Sequence, residues 1–231
     1  MNNPPTAVGG IRRARVLVHS LILYRLMLKV GLTGSIAVGK SFVVSVFRDL
    51  GCATFDADKI AHTVMEPGRE AFDDIVRDFG RAVLGEDGSV DRAKLGAIVF
   101  ADSERRRRLN EIVHPRVITE QNRLLAEFER KNPEGIVIVD AALMIESGGY
   151  KRFDKLIVVF CSSETQIERL MKRNNVTREE AELRVAAQMP SEEKRRYADY
   201  EIDTSGTQEE TRARVTEIYH LLLEVQKNLG S

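Results

Sequence analysis

Gly34-Ser35-Ile36-Ala37-Val38-Gly39-Lys40-Ser41 decides how this chain is read. It has the G-x-x-x-x-G-K-S spacing of a phosphate loop, in which the glycines let the backbone curl into a nest of inward-pointing N–H groups. Every position from Gly34 to Ser41 is therefore a candidate nucleotide contact. Lys40 has the reach and charge for the β- and γ-phosphates, and the Ser41 hydroxyl suits Mg²⁺. The flanks agree. Leu28-Lys29-Val30-Gly31-Leu32-Thr33 reads as a short buried strand, and Ser41 to Phe47 reads as a helix with Val43, Val46 and Phe47 on one face. A loop joining a strand to a helix N-terminus is where an anion is expected to bind. The implied ligand is a nucleoside triphosphate.

Outward from the loop, strand and helix signals alternate, which predicts an α/β fold with a parallel central sheet and helices on both faces. Cys52-Ala53-Thr54-Phe55 is a candidate second strand ending at Asp56, and Gly135 to Asp140 and Lys155 to Phe160 are apolar runs suited to buried parallel strands. Residues 59–130 carry no convincing strand and are expected to form a helical insertion, punctuated by Pro67-Gly68 and Gly85-Glu86-Asp87-Gly88. Three capping-box patterns follow: Ser163-x-x-Gln166, Thr177-x-x-Glu180 and Thr207-x-x-Glu210. Val215, Ile218, Tyr219 and Leu222 place the last helix on the sheet.

The chain has 231 residues, 43% hydrophobic and 30% charged, enough for one globular unit with an insertion. Its formal net charge is zero, so nothing in the bulk charge suggests nucleic acid or a membrane surface. Cys52 and Cys161 stand far apart, which argues against a zinc cluster or a disulfide framework and favours a reducing cytoplasm. Residues 1–26 are expected to be an extension outside the fold. Their Val16 to Tyr24 apolar run includes His19 and Ser20 and is too short to span a bilayer, so it reads as neither signal peptide nor membrane span, with a weak interfacial helix as the alternative. Residues 27–231 would then hold the working domain.

A phosphate loop does not by itself separate kinase, GTPase and motor. The guanine-reading Asn-Lys-x-Asp motif is absent, and the chain is short for a helicase or transporter ATPase core. A small-molecule kinase of the phosphate-loop fold is the leading class. It requires an acceptor-side carboxylate and an arginine-bearing lid. Asp56 and Asp58 fall at the end of the second strand, where open α/β sheets bind ligands; Asp58, just before Lys59-Ile60-Ala61, also suits a helix cap. Arg169, Arg173 and Arg178 lie on or after the helix capped by Ser163, outside its Ile167, Leu170 and Met171 stripe, and residues 163–195 are the candidate lid. Arg105-Arg106-Arg107-Arg108 reads mainly as a solvated helix face, and His114-Pro115 as a structured turn.

These residues together resemble the dephospho-coenzyme A kinase family, over the chain from Lys29 to about Leu223. The resemblance rests on Asp56-Ala57-Asp58-Lys59-Ile60-Ala61-His62, on Leu109 with His114-Pro115, on Leu143 with Glu146, and on Gln166, Arg169, Arg173, Gln188, Lys194 and Ala198-Asp199, in family order. It implies that ATP and dephospho-CoA bind side by side and that the γ-phosphoryl group moves to a ribose 3′-hydroxyl. Asp56 would activate or position that hydroxyl. Asp58, His62 and His114 would contact the acceptor. Ser41 would hold Mg²⁺, with Asp140 supporting it through water. Lys40 and Arg169 would stabilise the transferring charge, with Arg173 on the ATP side. The enzyme is expected to be cytoplasmic, a monomer or small homo-oligomer, with no nucleic-acid partner and no stable membrane association. Ala142, Thr204, Ala37 and Phe42 depart from common family choices. Two other readings are a kinase for another acceptor, such as a nucleoside or nucleotide, and a non-catalytic nucleotide switch.

Overall fold

A computed structural model describes residues 27–229. The predicted N-terminal extension lies outside these. The sheet has five strands: β1 (Leu28–Thr33), β2 (Ala53–Asp56), β3 (Ile136–Asp140), β4 (Lys155–Phe160) and β5 (Tyr200–Asp203). Their order is β2-β3-β1-β4-β5, and each neighbouring pair is parallel. The phosphate loop therefore leaves the central strand, and β2 and β3 lie to one side of it. Sequence reading missed β5. Tyr-Glu-Ile-Asp buries only Ile202 fully and lies at the sheet edge, so it lacks the apolar run that marks a central strand.

β3 shows why the sheet needs cover on both faces. Ile136 and Ile138 join one core cluster, while Val137 and Val139 join another, as a period of two requires. On the first face lie α1 (Lys40–Asp49) and α9 (Gln208–Asn228), which bury Val43, Val46 and Phe47 and Val215, Ile218 and Leu222 completely. On the second face Leu125, Met144 and Ile145 close over Val137, Val139, Leu156 and Val158.

Helices α2 (Ala57–Val64), α3 (Glu70–Phe79), α4 (Arg92–Ala101) and α5 (Ser103–Lys131) occupy the stretch between β2 and β3. They build a core of their own from Ile60, Ile75, Val83, Leu95 and Ile112. The expected turn at His114-Pro115 is not formed: α5 runs through Pro115 as a helix of 29 residues. Proline removes one ladder donor and crowds the preceding turn. The Arg116 guanidinium donates back to the Ile112 carbonyl at 2.7 Å and pairs with Asp74 of α3, while Ile112, Val113 and Leu125 are buried. Packing and this side-chain bond hold the helix together across the proline.

The capping boxes differ in outcome. Thr207 and Glu210 form the reciprocal box. Thr177 accepts from the Glu180 N–H at the start of α7 (Arg178–Ala186). At α6 (Ser163–Asn174) the cap is Ser162, one residue earlier than predicted, and Gln166 is committed elsewhere.

Between α8 (Ser191–Arg195) and the chain after β3 lies an ion pair whose Lys194 end is buried and whose Glu146 end reaches solvent. The Lys194 ammonium is fully buried, 2.8 Å from Glu146 Oε1 and 2.8 Å from the Ala142 carbonyl. Glu146→Ala should leave that charge without its counter-ion, a loss of about 3 kcal/mol. A melting temperature lower by about 6–12 °C is expected; an unchanged melt would show that the pair contributes nothing.

Candidate active site

The loop is shaped by what its glycines must avoid. A Cβ on Gly34 would lie 2.3 Å from the Val159 carbonyl oxygen of β4. Gly39 has φ +87 and caps α1, a conformation that costs a larger residue about 1 kcal/mol or more. Ala37 also has positive φ, +61, so the loop makes its left-handed turn here on a non-glycine residue. Its packing with Ile167, Leu170 and Ala181 holds it there.

Three side chains and a buried threonine fix the loop in place. The Ile36 N–H donates to Gln188 Oε1 at 2.7 Å, and the Ile36 carbonyl accepts from Gln166 Nε2 at 2.7 Å. Ser35 Oγ donates to the Met189 carbonyl at 3.2 Å. Ile36 is thus an anchor and does not line the nucleotide cleft, unlike the other loop residues from Ser35 to Ser41. Thr204 is 4% exposed. Its hydroxyl has a single proton, which goes to the Val38 carbonyl at 2.7 Å, and it accepts from Arg169 Nη1 at 3.0 Å. Arg169 Nη2 donates to the Thr204 carbonyl at 2.7 Å. Thr204 therefore ties the loop to Arg169, a link no sequence motif announces.

The cleft beside the loop has a volume of about 560 Å³, and Arg169, Lys172 and Arg173 line it together with Lys40. Lys172 was not singled out by sequence. Arg178 is elsewhere, paired with Glu164 and Glu182 on the surface. The Lys40 ammonium donates to the Gly34 carbonyl at 3.2 Å, which holds it over the loop.

Acidic groups form the next wall. Asp56 and Asp140 are register partners at the carboxyl ends of β2 and β3, so they stand side by side. Asp56, and not Asp58, caps α2: its Oδ1 accepts from the Asp58 and Lys59 N–H groups, both at 3.0 Å. Among the described residues its Oδ2 is left with only Lys59, at 3.9 Å. Among the described residues Asp140 Oδ1 is buried without a hydrogen-bond partner. Burial pushes the Asp140 carboxyl up to about 6; Lys40 opposes this, and Asp56 and Asp58 add to it.

That shift has a sign. The folded value lies above the unfolded one of about 3.9, so folding favours the protonated acid. The contribution is full below about pH 4 and is lost as pH rises through about 6. In the metal- and nucleotide-free protein, Asp140→Asn should therefore be more stable than the parent at pH 7.5, by about 3 kcal/mol, with about half that gain at pH 5. Melts at the two pH values test this; equal differences at both would show that Asp140 is not the titrating group.

A second cleft, of about 300 Å³, opens next to the acidic wall between α2, α5 and the chain after β3. Asp58 and His114 line it, with Ala61, Val113, Val117 and Leu143. His62 lies in the last turn of α2 and does not line it. The arginine run divides. Arg105 donates to the Asp78 carbonyl, Arg107 pairs with Glu104 and Glu111, and Arg108 pairs with Asp78. Arg106 faces a shallow groove on the other side of His114. Arg152 also lines the second cleft and carried no sequence signal.

A phosphate cradle with a carboxylate row on the neighbouring strands and cations over it is the layout of a phosphotransferase, here on the phosphate-loop kinase fold. Within that class the chain belongs to the dephospho-CoA kinase family, whose profile matches residues 28–210. It is 46% identical over 193 residues to a dephospho-CoA kinase of Geobacillus kaustophilus, covering 83% of this chain and 94% of that one. An Aquifex aeolicus dephospho-CoA kinase is 42% identical over 196 residues, covering 85% and 98% of the two chains. The solved dephospho-CoA kinase of Campylobacter jejuni superposes with a TM-score of 0.65 at 27% identity, covering 85% of this chain and 97% of its own. A Thermus thermophilus structure superposes with a TM-score of 0.74 at 32% identity, covering 86% and 98%. ATP is the co-substrate that membership in a kinase family implies. Among the described residues no helix is long and apolar enough to cross a membrane.

Proposed function

We propose that this chain transfers the γ-phosphoryl group of ATP to the ribose 3′-hydroxyl of dephospho-CoA, giving ADP and coenzyme A, with Asp56 as the acceptor-side carboxylate. The observation that carries the residue assignment is the pairing of Asp56 with Asp140 beside the phosphate loop, in a chain of this family. Asp56 spends one oxygen on the α2 cap, which fixes its orientation, and keeps the other for the hydroxyl proton. Acid–base groups so positioned contribute about 10²–10⁴-fold. Lys40, Arg169 and Arg173 supply positive charge around the transferring group, and loop N–H groups hold the phosphates. Asp58 and His114 serve the acceptor from the second cleft.

Mg²⁺ fits the residues present. Its donors are hard oxygens, and it usually keeps waters and binds through one or two protein oxygens plus substrate phosphates. The described residues hold no cluster of three or more acidic, His or Cys ligands, but Ser41 lies in the first turn of α1 at the loop and, among the described residues, Asp140 Oδ1 is unpartnered. Ser41 would hold the ion and Asp140 would support it. When bound, Mg²⁺ would neutralise charge on the β- and γ-phosphates. Residues 163–195 act as the lid, and its closure would exclude water and suppress ATP hydrolysis. Cys52 and Cys161 are free and buried, in keeping with a cytoplasmic enzyme. Burial pushes the Cys52 thiol up to about 12, which removes it as a nucleophile.

An ADP-release assay with dephospho-CoA as acceptor, with the product mass checked for one added phosphate, tests the proposal. Turnover of a nucleoside monophosphate without turnover of dephospho-CoA would move the activity to another acceptor. ATP binding with no transfer to any acceptor would indicate a nucleotide switch.

A further inference from the structure

Most arginines near the second cleft have carboxylate partners. Arg116 pairs with Asp74 and Glu70, Arg107 with Glu104 and Glu111, and Arg108 with Asp78 and Glu111. Arg152 differs. It ends the 3₁₀ turn Gly149–Arg152, between β3 and β4, and reaches across to α5. There Nη1 donates to Gln121 Oε1 at 3.1 Å and Nη2 donates to Asn122 Oδ1 at 2.7 Å. Among the described residues no carboxylate is within ion-pair distance of it. Gln121 is 6% exposed, so one of the two orienting groups is itself part of the core.

Neutral amides can orient a guanidinium but cannot neutralise it. A guanidinium has five N–H groups, and these two bonds leave three for a ligand in fork geometry. Burial also lowers the Arg152 pKa, as expected for a cation partly withdrawn from water without a counter-ion. The rest of the cleft wall is largely apolar, with Val113, Val117, Ile118 and Leu143 along it. Ala57 and Asp58, the residues that follow Asp56, line the same cleft. A ligand whose hydroxyl meets Asp56 and that extends into this cleft would have Arg152 and these apolar side chains as its walls. Dephospho-CoA has this order of groups: a ribose, then a diphosphate, then a mostly uncharged pantetheine arm.

We infer that Arg152 forms the acceptor-diphosphate subsite of this enzyme, held ready by Gln121 and Asn122, and that it sets the affinity for dephospho-CoA independently of ATP. This rests on dephospho-CoA being the acceptor. Charge-assisted bidentate bonds from Arg to phosphate are geometrically specific, so Lys should replace it poorly.

The test uses the full chain with Arg152→Gln and Arg152→Lys. For Arg152→Gln the KM for dephospho-CoA should rise about 10-fold or more, while the KM for ATP stays within about twofold and kcat at saturation within about threefold. Arg152→Lys should fall between the two. Melting temperatures should stay within about 3 °C of the parent, because a cation without a counter-ion contributes little to stability. A KM for dephospho-CoA within about threefold of the parent would overturn the inference, as would equal rises for both substrates or a large drop in melting temperature. If the parent enzyme itself does not turn over dephospho-CoA, the underlying acceptor assignment fails instead, and the subsite with it.

Discussion

Lys40→Ala is expected to cut kcat by about 10²-fold or more while leaving the fold intact, because it removes one preorganised charge from the transferring phosphoryl group. Lys40 opens α1, but its ammonium lines the nucleotide cleft and bonds the Gly34 carbonyl, so the core clusters do not depend on it. The residues that anchor the loop, Gln166, Gln188 and Thr204, remain in the variant. A second effect follows from the neighbouring carboxylate. Lys40 holds the Asp140 pKa down against its burial. Without it the Asp140 carboxyl should titrate higher still, and the acid limb of the pH–rate profile should move to higher pH. Steady-state kinetics across pH, with circular dichroism and a thermal melt, check all three expectations. Turnover within about threefold of the parent would take Lys40 out of the mechanism.

Asp56→Asn should nearly abolish transfer, by about 10²–10⁴-fold in kcat, while ATP still binds. The variant is informative because Asp56 has two duties. Its Oδ1 caps α2, and asparagine caps about as well as aspartate, so stability should hold within about 0.5 kcal/mol. What asparagine cannot do is take the hydroxyl proton. Asp56→Ala would confound the two, since it also loses about 1 kcal/mol of cap. Asp56 does not line the nucleotide cleft, so ATP affinity measured by calorimetry should be unchanged. If ATP affinity falls as far as turnover does, Asp56 belongs to the nucleotide or metal site and not to the acceptor side.

The sequence by itself determined much of what depends on local chemistry. The spacing from Gly34 to Ser41 specifies an anion nest, because only glycine tolerates the close approach to Val159 and the left-handed turn before Lys40. Four of the five strands were legible, three as apolar runs and β2 from Cys52 to Phe55, and the buried faces of α1 and α9 from their helical period. Asp56 was legible as a carboxylate at a strand end, and the dephospho-CoA kinase resemblance followed from motif order. Contacts between residues far apart in the chain were not. Thr204 and Val38, Gln188 and Ile36, and Arg152 and Gln121 meet only after the sheet has assembled in the order β2-β3-β1-β4-β5. Pro115 signals a turn by its own chemistry, and burial of Ile112, Val113 and Leu125 together with the Arg116–Ile112 bond overrides it. The same holds for the neighbours Asp56 and Asp140, which are separated by the whole helical insertion in sequence and brought side by side by strand register. Local propensity is carried by adjacent residues. Register, long-range hydrogen bonds and the burial that shifts Asp140 arise from packing between segments, and so the tertiary structure alone decides them.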